Sequence, residues 1–425
     1  MLPMRFIRHN LEQVKAGLSN KGFDPLELDR LVAVDARLRE KTVAVERLKA
    51  ERNRASDEVA RLKREGQSAQ DRIAELGELT GRIKVLDRET QAMGAELEQK
   101  LIWLPNLPHA STPVGTGAGH NQVVASWGDP VEHAFDARDQ VELLASLQLV
   151  DFAAGARIAG KGFPLYTDRG ARLERALINF MLDLHTREHG YTEIYPPFLS
   201  TRRSITTTGQ LPKLEEDMYL TTMDDLFLIP TAEVPLTNIH QESVLSEDQL
   251  PVKYAAFSAC FRREAGSYGQ ETKGLLRVHQ FNKVELVKFV HPDNSYEELE
   301  TLRADAEAVL RRLGLAYRVV ELCTGDLSFA AAKCYDLELH APVTGKWLEV
   351  SSCSNFEAFQ ARRGRIRFRR GDSGKPEYVH TLNGSGVATP RLMVALIESC
   401  QQADGSLVLP EALVSYYGAP VIEPR

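Results

Sequence analysis

From about Leu28 onward the apolar residues keep a seven-residue rhythm. With 31, 38, 45, 52 and 59 as a positions and 34, 41, 48, 55 and 62 as d positions, most are apolar; Lys41 and Arg52 are the exceptions. A polar break follows near Gly66-Gln67-Ser68. A second register then runs through Leu76, Leu79, Ile83, Leu86, Met93, Leu97 and Leu104, interrupted by Thr90 and Lys100. Two heptad stretches of similar length joined by a tight turn predict an antiparallel coiled-coil hairpin. At the helical rise each arm reaches on the order of 50 Å. Residues 1–25 read as a short helical lead-in. Pro105, with Pro108 and Pro113 behind it, ends the second arm. The Gly/Ser/Thr-rich run to about Gly119 reads as a linker, dividing the chain into residues 1–104, 105–119 and 120–425.

The rhythm changes in the third part. Arg172 to His189 has helical apolar spacing (Leu173, Ala176, Leu177, Phe180, Met181, Leu184) and stops at Gly190. GYTEIYPPFL behind it is extended, because Pro196 and Pro197 exclude helix. Residues 293–313 read as another amphipathic helix. Between these lie two β-strands joined by a polar loop that holds Gly266, Gly269 and Gly274. The first strand ends in Arg262-Arg263-Glu264, and the return strand runs from Leu276 to Val290. Strand side chains alternate, so Phe281 and Glu285 share one face, and Arg262 and Glu264 share one on the partner. Antiparallel pairing predicts Glu264 and Phe281 toward the loop, with Arg262 and Glu285 farther from it, along a track of about 13 Å. An aromatic platform with an acceptor, a fixed cation and a second carboxylate would suit an adenine, a phosphate and an aminated small molecule. An amphipathic hairpin with a solvated charged face is the plainer reading of the same pattern.

Three further stretches carry candidate chemistry. Thr231 and Glu233, two apart on what reads as an extended chain, turn a hydroxyl and a carboxylate to one side, a pair able to hold an α-ammonium. Arg363, Arg365, Arg367 and Arg369 alternate with Ile366 and Phe368, which predicts a strand with one basic and one apolar face. A phosphate contact and a salt-bridged surface explain that strand equally well. Thr389-Pro390-Arg391 predicts a helix start, with Thr389 as N-cap and Arg391 adding a cation to a terminus that attracts phosphate. Gly384 and Gly386 before it would let the backbone approach a ligand.

Composition alters this picture little. A chain of 425 residues with 43% hydrophobic content accommodates one large domain and a smaller one. The net charge of -7 gives no global nucleic-acid signature, so RNA contact would rest on local patches. One such patch is Arg47, Lys49, Arg52, Arg54, Arg61, Lys63 and Arg64 on the first arm. From charge alone, a solvated ion-paired surface fits these residues as well as an RNA grip does. Cysteines at 260, 323, 334, 353 and 400 show no CxxC or Cys/His ligand spacing and read as buried thiols. With no signal sequence and no run of eighteen or more apolar residues, the expectation is a soluble cytoplasmic protein without a membrane partner.

FRREAGSYGQETKGLLRVHQFNKVE, residues 261–285, resembles motif 2 of class II aminoacyl-tRNA synthetases, in detail that of the seryl-tRNA synthetases. TGQLPK at 208–213, IPTAEVPLTN at 229–238 and WLEVSSCSNFEAFQARR at 347–363 resemble the same family. HTLNGSGVATPRLMVALIE at 380–398 resembles its motif 3. The helix–Gly–strand–Pro order of 172–197 is similar to motif 1, with Pro197 at that motif's proline. Gln270 and Lys273 stand where seryl enzymes often carry Arg, and Tyr268 is at a variable position.

The resemblance implies an α+β chain: a coiled-coil hairpin, then a class II synthetase domain on a mainly antiparallel β-sheet flanked by helices. It implies ATP-dependent activation of L-serine to seryl-adenylate and transfer to tRNA(Ser), with tRNA(Sec) open as a second acceptor. It further implies a homodimer through motif 1, and a hairpin that holds the long variable arm of the tRNA through the basic residues named above. Carried over residue by residue, Arg262 clamps the α-phosphate and the serine carboxylate. Glu264 accepts from the adenine amino group, and Phe281 and Arg391 pack on either side of the ring. Arg263, Val278, Val350 and Ser351 complete the ATP-binding set, while Glu349 and Ser352 hold Mg²⁺. Thr231, Ala232, Glu233, Glu285, Asn383 and Ser385 surround serine together with Arg262. Catalytic roles fall to Arg262, Glu285 and Arg391. The rival readings are a seryl-synthetase-like ligase charging a carrier protein, a type that lacks the long arm, and an inactive RNA-binding paralogue.

Overall fold

The computed structural model describes residues 1–265, 273–371 and 374–424; Gly266, Tyr268, Gly269 and Gln270 lie outside the described residues. The chain divides into two compact units, Met1–Pro105 and Asn106–Arg425.

In the first unit two short helices, Met4–His9 and Leu11–Asn20, precede α1 (Pro25–Arg64) and α2 (Gln70–Leu101). Asp24 starts α1 by accepting from the Leu26 N–H, with Pro25 in the first turn. None of the assigned a and d positions of α1 is exposed, and Leu48, Ala55, Leu79 and Ile83 form one buried cluster. The heptad reading therefore holds, including at Lys41 and Arg52, which are half-buried. Ion pairs cross the hairpin: Lys41 pairs with Glu89, Lys49 with Asp87 at 3.1 Å and Arg72 with Glu58 at 3.2 Å. Asp35, buried within α1, is held at 3.0 Å by both Arg8 and Arg39.

The second unit is built on an eight-stranded sheet. Its strands are β1 (Gln122–Trp127), β2 (Thr192–Glu193), β3 (Val252–Phe261), β4 (Gln280–Val290), β5 (Tyr317–Glu321), β6 (Lys333–Ala341), β7 (Lys346–Asn355) and β8 (His380–Ala388). Their spatial order is β1-β5-β6-β7-β8-β4-β3-β2, antiparallel except for the short β2–β3 pair. The helices that matter for the site are α3 (Asp168–Arg187), α4 (Glu233–Asn238), α5 (Ser295–Arg312), α6 (Phe359–Gly364) and α7 (Thr389–Cys400).

Alternation along the strands decides what each face meets. Val284 and Leu286 of β4, Leu337 and Leu339 of β6, and Leu382 of β8 join Leu177, Leu302 and Leu396 of α3, α5 and α7 in one core. The opposite face is partly closed by a second cluster that includes Leu236 of α4, Phe289 of β4, Ile366 and Phe368. Where that cluster stops, the sheet surface is open, and the candidate site lies there.

Several local expectations need correction. Residues 106–119, expected as a linker, are bonded into the second unit: the buried Asn106 amide donates to the carbonyls of Ala330 (3.0 Å) and Phe356 (2.9 Å), and Thr112 to that of Ala332. The Arg-rich stretch is not one strand. Arg363 lies in the last turn of α6, Arg365 takes a left-handed turn (φ 55), and only Arg367–Arg369 is strand. The Arg363 guanidinium lies 4.4 Å from the Phe359 ring centre, and burial lowers its pKa to about 10. Thr389 is not the N-cap of α7, since Ala388 holds that place; the Thr389 hydroxyl instead donates to Glu174 of α3 and to the Asn282 carbonyl. Gly384 and Gly386 serve packing rather than a ligand. A Cβ on Gly386 would stand 2.5 Å from the His185 Nε2, and one on Gly384 2.9 Å from the Cys353 Sγ.

Candidate active site

Two strands supply the floor of the site. With Val284 and Leu286 in the core, Phe281, Lys283 and Glu285 of β4 stand on the open face, as alternation requires. Leu382 likewise turns Asn383 and Ser385 of β8 to that face. The register pairs Glu285 with Ser385. Asn383 Nδ2 donates to Glu285 Oε1 at 3.1 Å, and Lys283 Nζ lies 2.6 Å from Glu285 Oε2. Glu285 has no solvent exposure.

The expected order along the hairpin is only half right. Strand β3 stops at Phe261, and the Arg262 N–H donates to the His279 carbonyl. Arg262 therefore sits nearer the loop than Phe281, with its guanidinium carbon 5.2 Å from the Phe281 ring centre. Glu264 has left the ladder altogether. Its backbone is left-handed (φ 53), and its carboxylate accepts from Arg277 Nη1 at 2.8 Å. From the loop inward the order is Glu264 with Arg277, then Arg262, Phe281, Lys283 and Glu285.

Two joined cavities open over this floor. One, of about 270 Å³, is lined by Glu264, Val278, Phe281, Val350 and Arg391 among others. The other, of about 760 Å³, holds Thr231, Glu233, Glu285, Ser352 and Asn383 in its wall. Arg262, Glu264, Arg277, Lys283, Glu349 and Ser385 line both. Arg391 Nη1 donates to the Glu349 carbonyl at 2.9 Å, and its Nε to the Leu276 carbonyl, which fixes the guanidinium at the edge of the smaller cavity.

A β-bulge explains how Glu349 and Ser352 share a face although they stand three positions apart. Glu349 opposes Glu338 and Ser352 opposes Asp336, so one extra residue of β7 lies between. Asp336, nearly buried on that face, has its pKa raised to about 8, by burial first and then by the charge of Glu349. Two such carboxylates beside a hydroxyl form a hard-oxygen set that fits Mg²⁺, with one cation, Arg391, 3.5 Å from Glu349. Among the described residues no larger cluster of His, Cys, Asp or Glu forms a metal cage.

Thr231 and Glu233 are not on an extended chain. Glu233 opens α4, and its N–H donates to the Thr231 hydroxyl at 3.1 Å. Both side chains still reach the larger cavity, because the turn before a helix projects them together. Glu233 is buried, and burial, reinforced by the charge of Glu285, lifts its pKa to about 7. Three predicted residues line neither cavity. Ala232 packs in the second core cluster. The Ser351 hydroxyl donates to the Ser385 carbonyl at 2.6 Å. The Arg263 side chain turns away, donating to the Met218 carbonyl at 2.9 Å and lying over the Tyr219 ring.

The family model for the seryl-tRNA synthetase N-terminal domain matches residues 1–108. That for the class II tRNA synthetase core domain (G, H, P, S and T) matches residues 218–400. The serine–tRNA ligase of Geobacillus kaustophilus is 52% identical over 98% of this chain and 99% of its own. The chain belongs to the seryl-tRNA synthetases. Among solved structures, the Pyrococcus horikoshii seryl-tRNA synthetase complexed with ATP is 36% identical, with a TM-score of 0.95 and complete coverage of both chains. The cytoplasmic serine–tRNA ligase of Naegleria fowleri in complex with AMP is 26% identical at a TM-score of 0.89, covering 98% of this chain and 96% of that one.

Within this synthetase, Lys283, Arg277, Asp336 and Gln210 are among the cavity residues that the sequence did not reveal, and so is Gln360, which stands behind Glu233. Lys283 had a usable signal, since it stands two residues from both Phe281 and Glu285 on a strand. Asp336 and Gln360 had none, because their place depends on strand register and on the fold around α6.

Proposed function

We propose that the chain is a serine–tRNA ligase that activates L-serine with ATP and transfers it to tRNA(Ser). The observation that carries this reading is the pair of joined cavities: an aromatic- and arginine-lined cleft opens into an acid-lined pocket, and Arg262 stands in the wall of both. The smaller cavity takes the adenine between Phe281 and Arg391, with Glu264 accepting from its amino group. The larger takes serine, with Glu233 and Thr231 on the α-ammonium, and Glu285, Asn383 and Ser385 around the hydroxyl. Arg262 then faces the serine carboxylate and the α-phosphate together.

In the first step a carboxylate oxygen attacks the α-phosphorus in line and pyrophosphate leaves. Positioning and charge stabilisation by Arg262 supply most of the protein's contribution. Glu349 and Ser352 would hold Mg²⁺, which when bound offsets phosphate charge. In the second step the terminal ribose hydroxyl of the tRNA attacks the carbonyl carbon of the adenylate, an ester replaces the acyl–phosphate bond and AMP leaves; among the described residues no side chain stands out as the base. The amino-acid chemistry is the same for tRNA(Sec), so this site does not separate the two acceptors. Arginines 54 and 64 and Lys63, all exposed on α1, are the arm's phosphate contacts in this reading.

A homodimer accords with an apolar face around α3 and the segment after β2, where Ile178, Leu182, Ile194 and Phe257 line a hollow beside the exposed Tyr195. Among the described residues no helix is long and apolar enough to cross a membrane, and we place the enzyme in the cytoplasm.

Amino-acid-dependent ATP–pyrophosphate exchange tests the reading. Serine is expected to support exchange and alanine to fall short by about 10⁴-fold, because a site built to bond a hydroxyl leaves buried groups unpaired without one. Equal exchange with alanine, or none with serine, would reject it. The same assay has a predictable pH limb. Glu233 must be ionised to hold the ammonium, and its raised pKa of about 7 means that it protonates as pH falls through neutrality. Serine kcat/KM is expected to drop about tenfold per pH unit below that value, while the KM for ATP changes little. A flat profile down to the ordinary carboxylate range would remove Glu233 from serine binding.

A further inference from the structure

We propose that Gln360 is a positioning residue for amino-acid recognition, which presents the Glu233 carboxylate through neutral hydrogen bonds so that the substrate ammonium supplies its only close cation. The proposal rests on the reading of Glu233 as the ammonium acceptor and goes beyond it in asking how that carboxylate is prepared.

Gln360 is 1% exposed and sits on α6, which contributes no residue to either cavity. A buried amide is costly unless every polar atom is satisfied. Here all are, and one of the bonds is given to a buried carboxylate. The Gln360 Nε2 donates to Glu233 Oε1 at 2.6 Å and to the Thr208 carbonyl at 3.1 Å, while its Oε1 accepts from the Thr381 hydroxyl at 2.7 Å. Gln210 Nε2 holds the other oxygen, Oε2, at 3.1 Å, and is itself anchored by the Thr208 hydroxyl.

The contrast with Glu285 gives this arrangement its meaning. Glu285 has a resident cation, Lys283, at 2.6 Å. Among the described residues Glu233 forms no direct ion pair; Lys283 and Arg262 act on its charge only at longer range and more weakly than the Gln360 hydrogen bond. One buried acid is therefore neutralised by the protein, and the other is left to be neutralised by what binds. A lysine in place of Gln360 would fill that role permanently and leave the ammonium nothing to gain. Two neutral donors instead fix the geometry of the carboxylate and favour its ionised form without cancelling its charge. Thr381 also stands two residues from Asn383 on β8, so one strand registers both carboxylates.

The test uses the full-length enzyme and ATP–pyrophosphate exchange. Gln360→Met keeps the side-chain length and removes the bonds. Its serine KM is expected to rise about 10- to 100-fold, the loss of one charge-assisted hydrogen bond, with the KM for ATP nearly unchanged. The low-pH limb of serine kcat/KM should move to higher pH, because a bond favouring the ionised carboxylate is gone. Thr381→Val, which frees the Gln360 carbonyl, should shift both quantities the same way by less. Gln360→Lys should lose serine binding at every pH while still binding ATP.

A wild-type serine KM and pH limb in Gln360→Met would overturn the proposal. So would a parallel loss of serine and ATP binding with the limb unmoved, the mark of a merely structural residue. Glu233→Gln separates the two levels. If it keeps the wild-type serine KM, the underlying reading of Glu233 fails; if it loses serine while Gln360→Met does not, only the present inference fails.

Discussion

Glu285→Ala is expected to lose serine-dependent ATP–pyrophosphate exchange, with kcat/KM for serine falling at least about a thousandfold. The side chain is wholly buried, and two groups are committed to it, Lys283 at 2.6 Å and Asn383 at 3.1 Å. Truncation removes the acceptor proposed for the serine hydroxyl. It also strands the Lys283 ammonium, whose own side chain is 8% exposed, and breaking a buried pair from one side costs about 3–5 kcal/mol. Both effects act at the floor shared by the two cavities, so the melting temperature should fall along with activity. Glu285→Gln keeps the shape and one acceptor oxygen, and should lie between the wild type and alanine. Titration with ATP alone distinguishes a lost serine site from a lost fold. Exchange at the wild-type level in Glu285→Ala would take that residue out of serine recognition.

The residues that were legible beforehand share a property: each lies on a regular element whose period is visible in a short window. The arm's seam could be read because a seven-residue period survives Lys41 and Arg52. Phe281 and Glu285 could be placed on one face because β4 is unbroken between them. Where an element ends or bends, the pattern misleads. Arg262 and Glu264 alternate in sequence, but the strand ends at Phe261 and the backbone at Glu264 is left-handed, so the alternation no longer sets their faces. The alternation from Arg363 to Arg369 imitates a strand, yet the turn at Arg365 divides it between α6 and a three-residue strand. Glu349 and Ser352 share a face only because of the bulge in β7. Gln210 and Gln360, 150 residues apart in numbering, meet on Glu233 through tertiary packing alone. The chemistry closest to the strands was therefore readable, and the polar groups that orient it were not.

Removal of residues 1–105 is expected to leave serine-dependent exchange intact and to reduce charging of tRNA(Ser) by on the order of a thousandfold, as the loss of several phosphate contacts would. The unit from Asn106 to Arg425 holds the sheet, the core beneath it and every residue lining the two cavities. No residue of Met1–Pro105 belongs to that core or lines either cavity. The first helix offers cations whose present engagements are weak. Arg47 and Arg61 pair with Glu51 and Glu65 one turn away, and Arg54 and Arg64 donate to carbonyls of their own helix. Exposed pairs of this kind are worth about 0–1 kcal/mol, so phosphates can displace them. In the intact enzyme, replacing Arg54, Lys63 and Arg64 by alanine should therefore weaken tRNA binding and lower its salt dependence by about one slope unit per lost contact, with exchange unaffected. Loss of exchange in the armless protein would mean that the two units are not energetically separate. Undiminished charging would assign the tRNA grip to the synthetase domain. Serine exchange by the intact chain without any tRNA charging would favour a carrier-charging ligase instead, and would leave the arm in need of another partner.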